Sequence, residues 1–416
     1  CTTRHGGRIK IREQENELIK NGLLKEEDRI EFKNTSKMIA LSSASYTFEN
    51  LYKTYKEWVS NIHDEKTVHD STYFVSQLGY EALPKEMIDT TIIDEAQNGG
   101  QSHSSFQREY CAQFTDGSDS YFSAKKMHEC TIPDGEDPST LIKGKREEKY
   151  ILAIDPSFSN SPSSDYFAMA IVELNEENET STLVHNYAVA GGNLKDHISY
   201  LNYVVSNFDI EMICIDNAGY QFIDGANESK LFTSCKRNLK FIDFDPNKEG
   251  IEYDLEIKKL RRGMDKAAGS ICFKQVFTSD FLRKSNENLQ SSIDHKKIWF
   301  ASKMTASEMA FTKASNISIN LKQVNEKSLL DFIERQDDLI YQVKKQCALV
   351  EVKSTARGNQ SFDLPLHLKR NTSVGRARKD NYTALLLANW ATKIYYDMKK
   401  VKEEEVSSTF VPRIIK

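Results

Sequence analysis

Three aspartates stand where a carboxylate is expensive. Asp155 closes the apolar run ILAID, Asp216 closes MICID, and Asp380 opens DNYTALLLANWATKIYY. Burying a charge at the end of a core strand is costly unless a cation answers it. Behind Asp155 come the serine-rich turn SFSNSPSS and a second acid, Asp165, at the head of the run YFAMAIVEL. Strand ends on one edge of a sheet converge in space, and open α/β sheets take their ligands beyond the carboxyl ends of their strands. Several hard carboxylates gathered there repel each other, and Mg²⁺ or Mn²⁺, which prefer oxygen ligands, remove that penalty. Two such ions about 4 Å apart can activate a water and stabilise the leaving oxygen in phosphodiester cleavage. Asp155, Asp216 and Asp380 are therefore the candidate catalytic residues, and together with Asp165 the candidate metal ligands. A plainer role is open to each: a turn residue, an N-cap, a charge at the positive end of a helix dipole, or, for Asp165, a hairpin residue.

A second feature lies directly upstream of Asp380. The segment LHLKRNTSVGRARK carries Lys369, Arg370, Arg376, Arg378 and Lys379 and no acid. Basic side chains hold a polyanion by its backbone while the ions act on it, so these five are candidate DNA contacts, the alternative being a solvated loop. KKLRRGMDK and FLRK, at 258–266 and 281–284, could extend the track, although helix-face charges usually face only solvent. His197, His295 and His367 fall in the same region, and none is required as a base.

The elements that must position these groups follow from periodicity. Strands are expected at YILAID, FAMAIVEL, STLVHNYAVAGG, MICIDN (212–217), 239–244, ICFKQV and ALVEVK, with helices at 194–208, near 255–268, near 327–347 and from Asp380 to about Tyr396, and a polar stretch after ICFKQV. Antiparallel strands followed by alternating strands and helices imply an α/β domain with a mixed sheet. Upstream, a short strand at 38–41 leads through a serine-rich turn into an amphipathic helix carrying Leu51, Tyr55 and Trp58, and PKEMIDTTIIDEAQ reads as a helix punctuated by Pro84 and Gly99. The tetrapeptide DEAQ has the look of a Walker B end, but Asp89, Thr90 and Thr91 interrupt the strand such a motif needs, and the sequence has no GxxxxGK[ST] loop. The Pro- and Gly-rich stretch 130–149 reads as a connector.

The sequence has 416 residues, 39% of them hydrophobic, enough for two or three folded units at about 150 residues per domain. A net charge of -5 excludes a chain that is basic all over, so any anionic partner must meet a local patch. Seven scattered cysteines without a CxxC pair suit reduced thiols, and no apolar run is long enough to span a bilayer, so a soluble intracellular protein is expected. The first 35 or so residues are charged and aperiodic and open without a methionine, as though the chain began partway through a domain.

Read together, SSAS after an apolar run, FQREYCAQF, the pair IDPSFSNSPSSDYFAMAIV and ICIDNAGYQFID, QVKKQCALVEVKSTARGNQSFDLP and RARKDNYTALLLANW resemble the terminase large subunit of tailed double-stranded DNA phages. That resemblance implies an α/β fold: a ribonuclease-H-like mixed sheet flanked by helices, preceded by part of a P-loop-type ATPase. It implies a division into the latter part of the motor domain (1–125), a linker (126–149), a nuclease domain (150–398) and a charged tail (399–416). Asp155, Asp216 and Asp380 match the family's metal-binding acids, with Asp165 nearby, and Ser42, Ser43 and Ala44 match its ATPase coupling motif. The implied activity is metal-dependent endonuclease cleavage of concatemeric viral DNA during genome packaging, with Mg²⁺ or Mn²⁺ (two ions) as cofactor and ATP serving the full-length motor. The implied partners are double-stranded DNA, the procapsid portal, the small terminase subunit and further copies in a ring, with no membrane. The implied location is the host cytoplasm, transiently on the procapsid and not in the virion. Without a Walker A loop, ATP hydrolysis by this chain is not expected. Two other readings fit the same acids: a transposase, integrase or junction resolvase, and a non-catalytic DNA-binding assembly module.

Overall fold

A computed structural model of the chain describes residues 14–29, 39–64 apart from 46, 48 and 49, 73–93, 103–115, 120–229 apart from 160, 162 and 163, 239–266, 270–305, 321–324, 327–354, 360–365, 368 and 377–408. The chain divides into two units, Cys1–Ser42 and Ser43–Lys416. The first contains a helical stretch over 14–20 and a short 3-10 turn at Glu26–Asp28.

The second unit is built on a seven-stranded mixed sheet. Its strands are β1 (Tyr150–Asp155), β2 (Tyr166–Asn175), β3 (Thr180–Ala190), β4 (Ile210–Asp216), β5 (Lys240–Phe241), β6 (Ile271–Gln275) and β7 (Ile298–Phe300), in the order β5-β6-β4-β1-β2-β3-β7. β1, β2 and β3 form an antiparallel meander, while β4 joins β1 in parallel and β6 joins β4 in parallel. A three-stranded meander extended beside its first strand by parallel strands is the ribonuclease-H-like order. A separate hairpin pairs β8 (Glu351–Ser354) with β9 (Gln360–Asp363).

The central strands are apolar without alternation. Tyr150–Ile154, Phe167–Val172 and Met212–Ile215 are all buried, the pattern of a sheet covered on both faces. Nine helices matter here: α1 (Asn50–His63), α2 (His103–Glu109), α3 (Ala124–Glu129), α4 (Leu194–Asn207), α5 (Gln221–Glu228), α6 (Gly250–Lys266), α7 (Ser279–Asp294), α8 (Leu329–Ala348) and α9 (Asp380–Ser408). Helix α9 packs along β1, β2, β3 and β4, and α6, α7 and α8 pack against it. Its first turns bury Tyr382, Ala384–Ala388, Trp390, Ala391, Ile394 and Tyr395, residues that lie all round the helix, as an enclosed helix requires.

Several expectations need correcting. The polar stretch after β6 is helix α7. Thr278 caps it by accepting the Phe281 N–H at 3.1 Å, and Phe281, Ser285, Leu289 and Ile293, four residues apart, form its buried side. The strand expected over 239–244 is only β5, and α6 begins at Gly250, five residues early. No strand forms at 38–41: Met38 lies outside the described residues, while Ile39–Leu41 are irregular and Leu41 is 93% exposed. In PKEMIDTTIIDEAQ the described residues form a 3-10 turn at Lys85–Met87 and a helical turn over 90–93, and Asp94–Gln97 lie outside them. Within 126–149, Met127, Cys130, Leu141 and Ile142 are buried in the same core as β1, and isolated bridges join Thr131 to Phe300 and Ser139 to Ser302. The cysteines described, Cys111, Cys130, Cys214, Cys272 and Cys347, are free thiols, and no helix among the described residues is long and apolar enough to cross a membrane.

Candidate active site

Asp155 and Asp216 end adjacent parallel strands. The register pairs Ile154 with Ile215, so the two acids leave the sheet side by side at one edge, on strands about 4.8 Å apart. Beyond Asp216 the register continues to Gln275 of β6, a buried amide that donates to Asn247 Oδ1 at 2.9 Å and to the Val276 carbonyl at 3.0 Å. Asp216 Oδ1 accepts the Ala218 N–H at 3.1 Å and so caps the 3-10 turn Asn217–Gly219. Asp380 arrives from the far end of the sequence as the first residue of α9. Its Oδ2 accepts the Tyr166 N–H at 2.7 Å, which ties the helix start to the start of β2, immediately after Asp165.

Electrostatics join the four acids into one group. Burial pushes the Asp155 carboxyl well above the ordinary carboxylate range, and the charges of Asp380, Asp216 and Asp165 push it further, against Lys379. Burial lifts Asp380 to about 6, helped by Asp165 and opposed by the Tyr166 N–H and by Arg378. Asp216 is also raised by burial, with the Ala218 N–H acting the other way. Like charges in one partly buried site each favour the protonated form of the other.

Among the described residues, no group of three or more His, Cys, Asp or Glu side chains is arranged as it stands to hold a metal ion. The chemistry of the donor set nevertheless fits a hard divalent cation: the donors are carboxylate oxygens, and their mutual repulsion is what such an ion relieves. The residues fit such an ion in kind.

The basic loop divides. Lys369, Arg370, Arg376 and His367 lie outside the described residues. Arg378 is turned to the site's frame: its Nε donates to the Ser164 carbonyl at 2.8 Å, one of its terminal nitrogens donates to the Tyr166 hydroxyl at 3.2 Å, and its guanidinium lies 4.4 Å from the Tyr166 ring centre. Lys379 reaches Asp363 of β9 at 3.1 Å, placing the β8–β9 hairpin beside the acids. In the upstream basic stretches, Lys259 pairs with Asp243 at 3.0 Å, Arg283 with Asp280 and Glu287 at 2.9 Å each, and Lys284 with Asp280 at 2.7 Å. His197 is buried, stacked on Phe167 at 4.2 Å and bonded to the Tyr187 hydroxyl, while His295 caps α7 at the surface. Sequence reasoning missed Tyr166 as the residue that fixes Asp380. Its only signal was its place directly after Asp165.

Upstream, the SSAS and FQREYCAQF segments meet. Thr47 N–H donates to the Thr115 carbonyl at 2.9 Å and Thr115 N–H to the Ser45 carbonyl at 3.4 Å, while Arg108 of α2 donates to Thr115 Oγ1 at 2.8 Å. Ser42 and Ser43 are exposed and Ala44 is half-buried.

No protein-family model matches the chain, and no curated protein matches it. Among solved structures, it is similar to the large terminase nuclease of thermophilic phage G20c with bound magnesium, at 11% identity and a TM-score of 0.33 over 65% of this chain and 96% of that one. It is similar to the large terminase of bacteriophage HK97 at 10% identity and a TM-score of 0.34, over 83% of this chain and 61% of that one. The nuclease domain of the large terminase subunit of bacterial virus Sf6 gives 8% identity and a TM-score of 0.30, over 65% of this chain and 98% of that one.

Proposed function

We propose that this chain is the nuclease-bearing part of a terminase large subunit, a divalent-metal-dependent endonuclease that cuts concatemeric viral double-stranded DNA during genome packaging. One observation carries the reading: Asp155, Asp165, Asp216 and Asp380, 225 positions apart at their extremes (380 − 155), share one partly buried electrostatic site at the sheet edge. The motifs of the first motor part, SSAS and FQREYCAQF, are consistent with the same family.

Asp155, Asp216 and Asp380, with Asp165, would hold one or two Mg²⁺ or Mn²⁺ ions. Ions held by these carboxylates would lower the pKa of a bound water and offset the negative charge that develops in phosphodiester hydrolysis. The chain's own part is positioning. β1 and β4 fix Asp155 and Asp216 on a rigid sheet, the Tyr166 N–H fixes Asp380, and Arg378 braces the Ser164–Tyr166 turn that carries Asp165. Lys369, Arg370 and Arg376 would hold the DNA backbone, with Lys379 and Arg378 at the border between DNA and acids. Ser42–Ala44 would couple ATP hydrolysis to movement in the whole motor, which would act with the portal, the small subunit and further copies in a ring, in the host cytoplasm on the procapsid. With no GxxxxGK[ST] loop in the sequence, this chain alone is expected not to turn over ATP.

The test is plasmid cleavage in Mn²⁺ or Mg²⁺. Loss of groups behind a metal ligand costs about 10–100-fold, so Asp155→Asn and Asp380→Asn should each slow cutting by about 10²-fold or more. Variants that cut as fast as the parent would remove the assignment. Strand transfer, or a preference for branched DNA, would point to the transposase or resolvase class, and tight binding without cleavage to an assembly module.

A further inference from the structure

The loops that leave β1 and β4 touch where Gly219 lies against Pro156. Pro156 directly follows Asp155, and Gly219 ends the turn that Asp216 caps. A methyl group built on Gly219 would stand 1.9 Å from Pro156 Cγ, 2.6 Å from its Cβ and 3.3 Å from its Cδ. Gly219 is buried and its φ lies outside the left-handed region, so space and not backbone conformation excludes a side chain there. The obstructing atoms belong to a pyrrolidine ring closed onto its own backbone, which cannot swing aside as a flexible side chain would. Carbon atoms rest about 3.5–4.0 Å apart, so any residue larger than glycine must part the two loops by roughly 1.5 Å or more.

Those loops begin directly after the two acids, whose backbones the paired strands already hold side by side. We infer that Gly219 is a positioning residue: its contact with Pro156 holds the turn that Asp216 caps against the residue after Asp155, and so sets how the two carboxylates face each other and the affinity of the site for a divalent cation. This rests on the metal-nuclease reading of the same site. Misplacement of about 1 Å in a reacting constellation costs on the order of 10²-fold in rate.

The experiment uses the full chain as parent, Gly219→Ala, Pro156→Gly, the double variant, and Gly263→Ala. The last is a packing control within α6, where a built methyl would meet Ile242 Cδ1 at 2.4 Å. Mn²⁺ affinity is read by calorimetry and by the rise in melting temperature, and cleavage by kcat and KM on plasmid. Gly219→Ala should weaken Mn²⁺ binding about tenfold or more and lower kcat about 10²-fold with KM unchanged. In the double variant the obstructing ring is gone, and Mn²⁺ affinity should return to within about twofold of Pro156→Gly. Gly263→Ala, which alters packing away from the acids, should leave Mn²⁺ affinity at the parent's value. A Gly219→Ala protein that folds and binds Mn²⁺ like the parent overturns the inference by itself, as does a loss that Pro156→Gly fails to restore. A parent that binds no Mn²⁺ overturns the metal reading, and this inference with it.

Discussion

At the scale of the residue, the site is a set of carboxylates held where they repel each other. Asp380 has the clearest consequence. Its carboxyl titrates near 6 in the folded chain and near 4 when unfolded, so between those values the folded state keeps a proton that the unfolded state has lost. Its contribution to stability therefore declines as pH rises from about 4 to about 6, and the penalty is complete above 6. Asp380→Asn, which keeps an oxygen for the Tyr166 N–H and removes a charge that presses on Asp155, should gain on the parent across that window and stay ahead of it above. Denaturant unfolding in metal-free buffer from pH 4 to 8 reads this, and a difference that does not change with pH would refute it. Buried His185 and His197, both pushed down to about 4, work in the opposite direction. They cost stability as pH falls from 6.5 toward 4, in parent and variant alike, so the comparison cancels them. The identities of the four acids were legible in the sequence because each sits at the boundary of a strongly apolar run. Tyr166 and Gly219 were not, because one acts through its backbone N–H and the other through an absent side chain. Neither leaves a mark on charge or periodicity.

Among elements, the strands and helices that bear the acids were readable because their burial is uniform. β1, β2 and β4 are enclosed by the fold and are nearly continuous apolar runs, and the first turns of α9 are buried and mostly apolar. Helix α7 was missed for the inverse reason: two of its five buried residues, Ser285 and Asn286, are polar. Asn286 Oδ1 takes the Tyr382 hydroxyl and Asn288 Oδ1 takes the Asn389 amide at 2.6 Å, so α7 docks on α9 partly by hydrogen bonds that hydropathy cannot register. The cap at Thr278 was the available signal. Replacing Thr278 by alanine leaves the Phe281 N–H without its partner and should cost about 1 kcal/mol, within a range of about 0.5–2. A two-state urea titration measures it, and an unchanged midpoint would mean the cap carries no weight. The stretch 126–149 has a connector's composition because its prolines, glycines and charges face outward, while the few apolar residues among them, Cys130, Leu141 and Ile142, reach the core. So sparse a pattern has no period to detect.

For the molecule as a whole, a ribonuclease-H-like sheet delivers acids from its first and fourth strands, and a long enclosed helix returns the end of the chain to the same edge. Basic residues precede that helix, so the proposed polyanion contacts and the acids are adjacent in sequence. The SSAS and FQREYCAQF segments are joined upstream through Thr115. All of this hangs on the carboxylates closing on a cation. The direct test is to grow crystals of the chain, soak them with Mn²⁺ and collect data at the manganese absorption edge. The account predicts anomalous peaks ligated by Asp155, Asp216 and Asp380, with Asp165 adjoining, which vanish in Asp155→Asn. Peaks confined to other surfaces, or none at saturating Mn²⁺ with the four aspartates pointing apart, would contradict it.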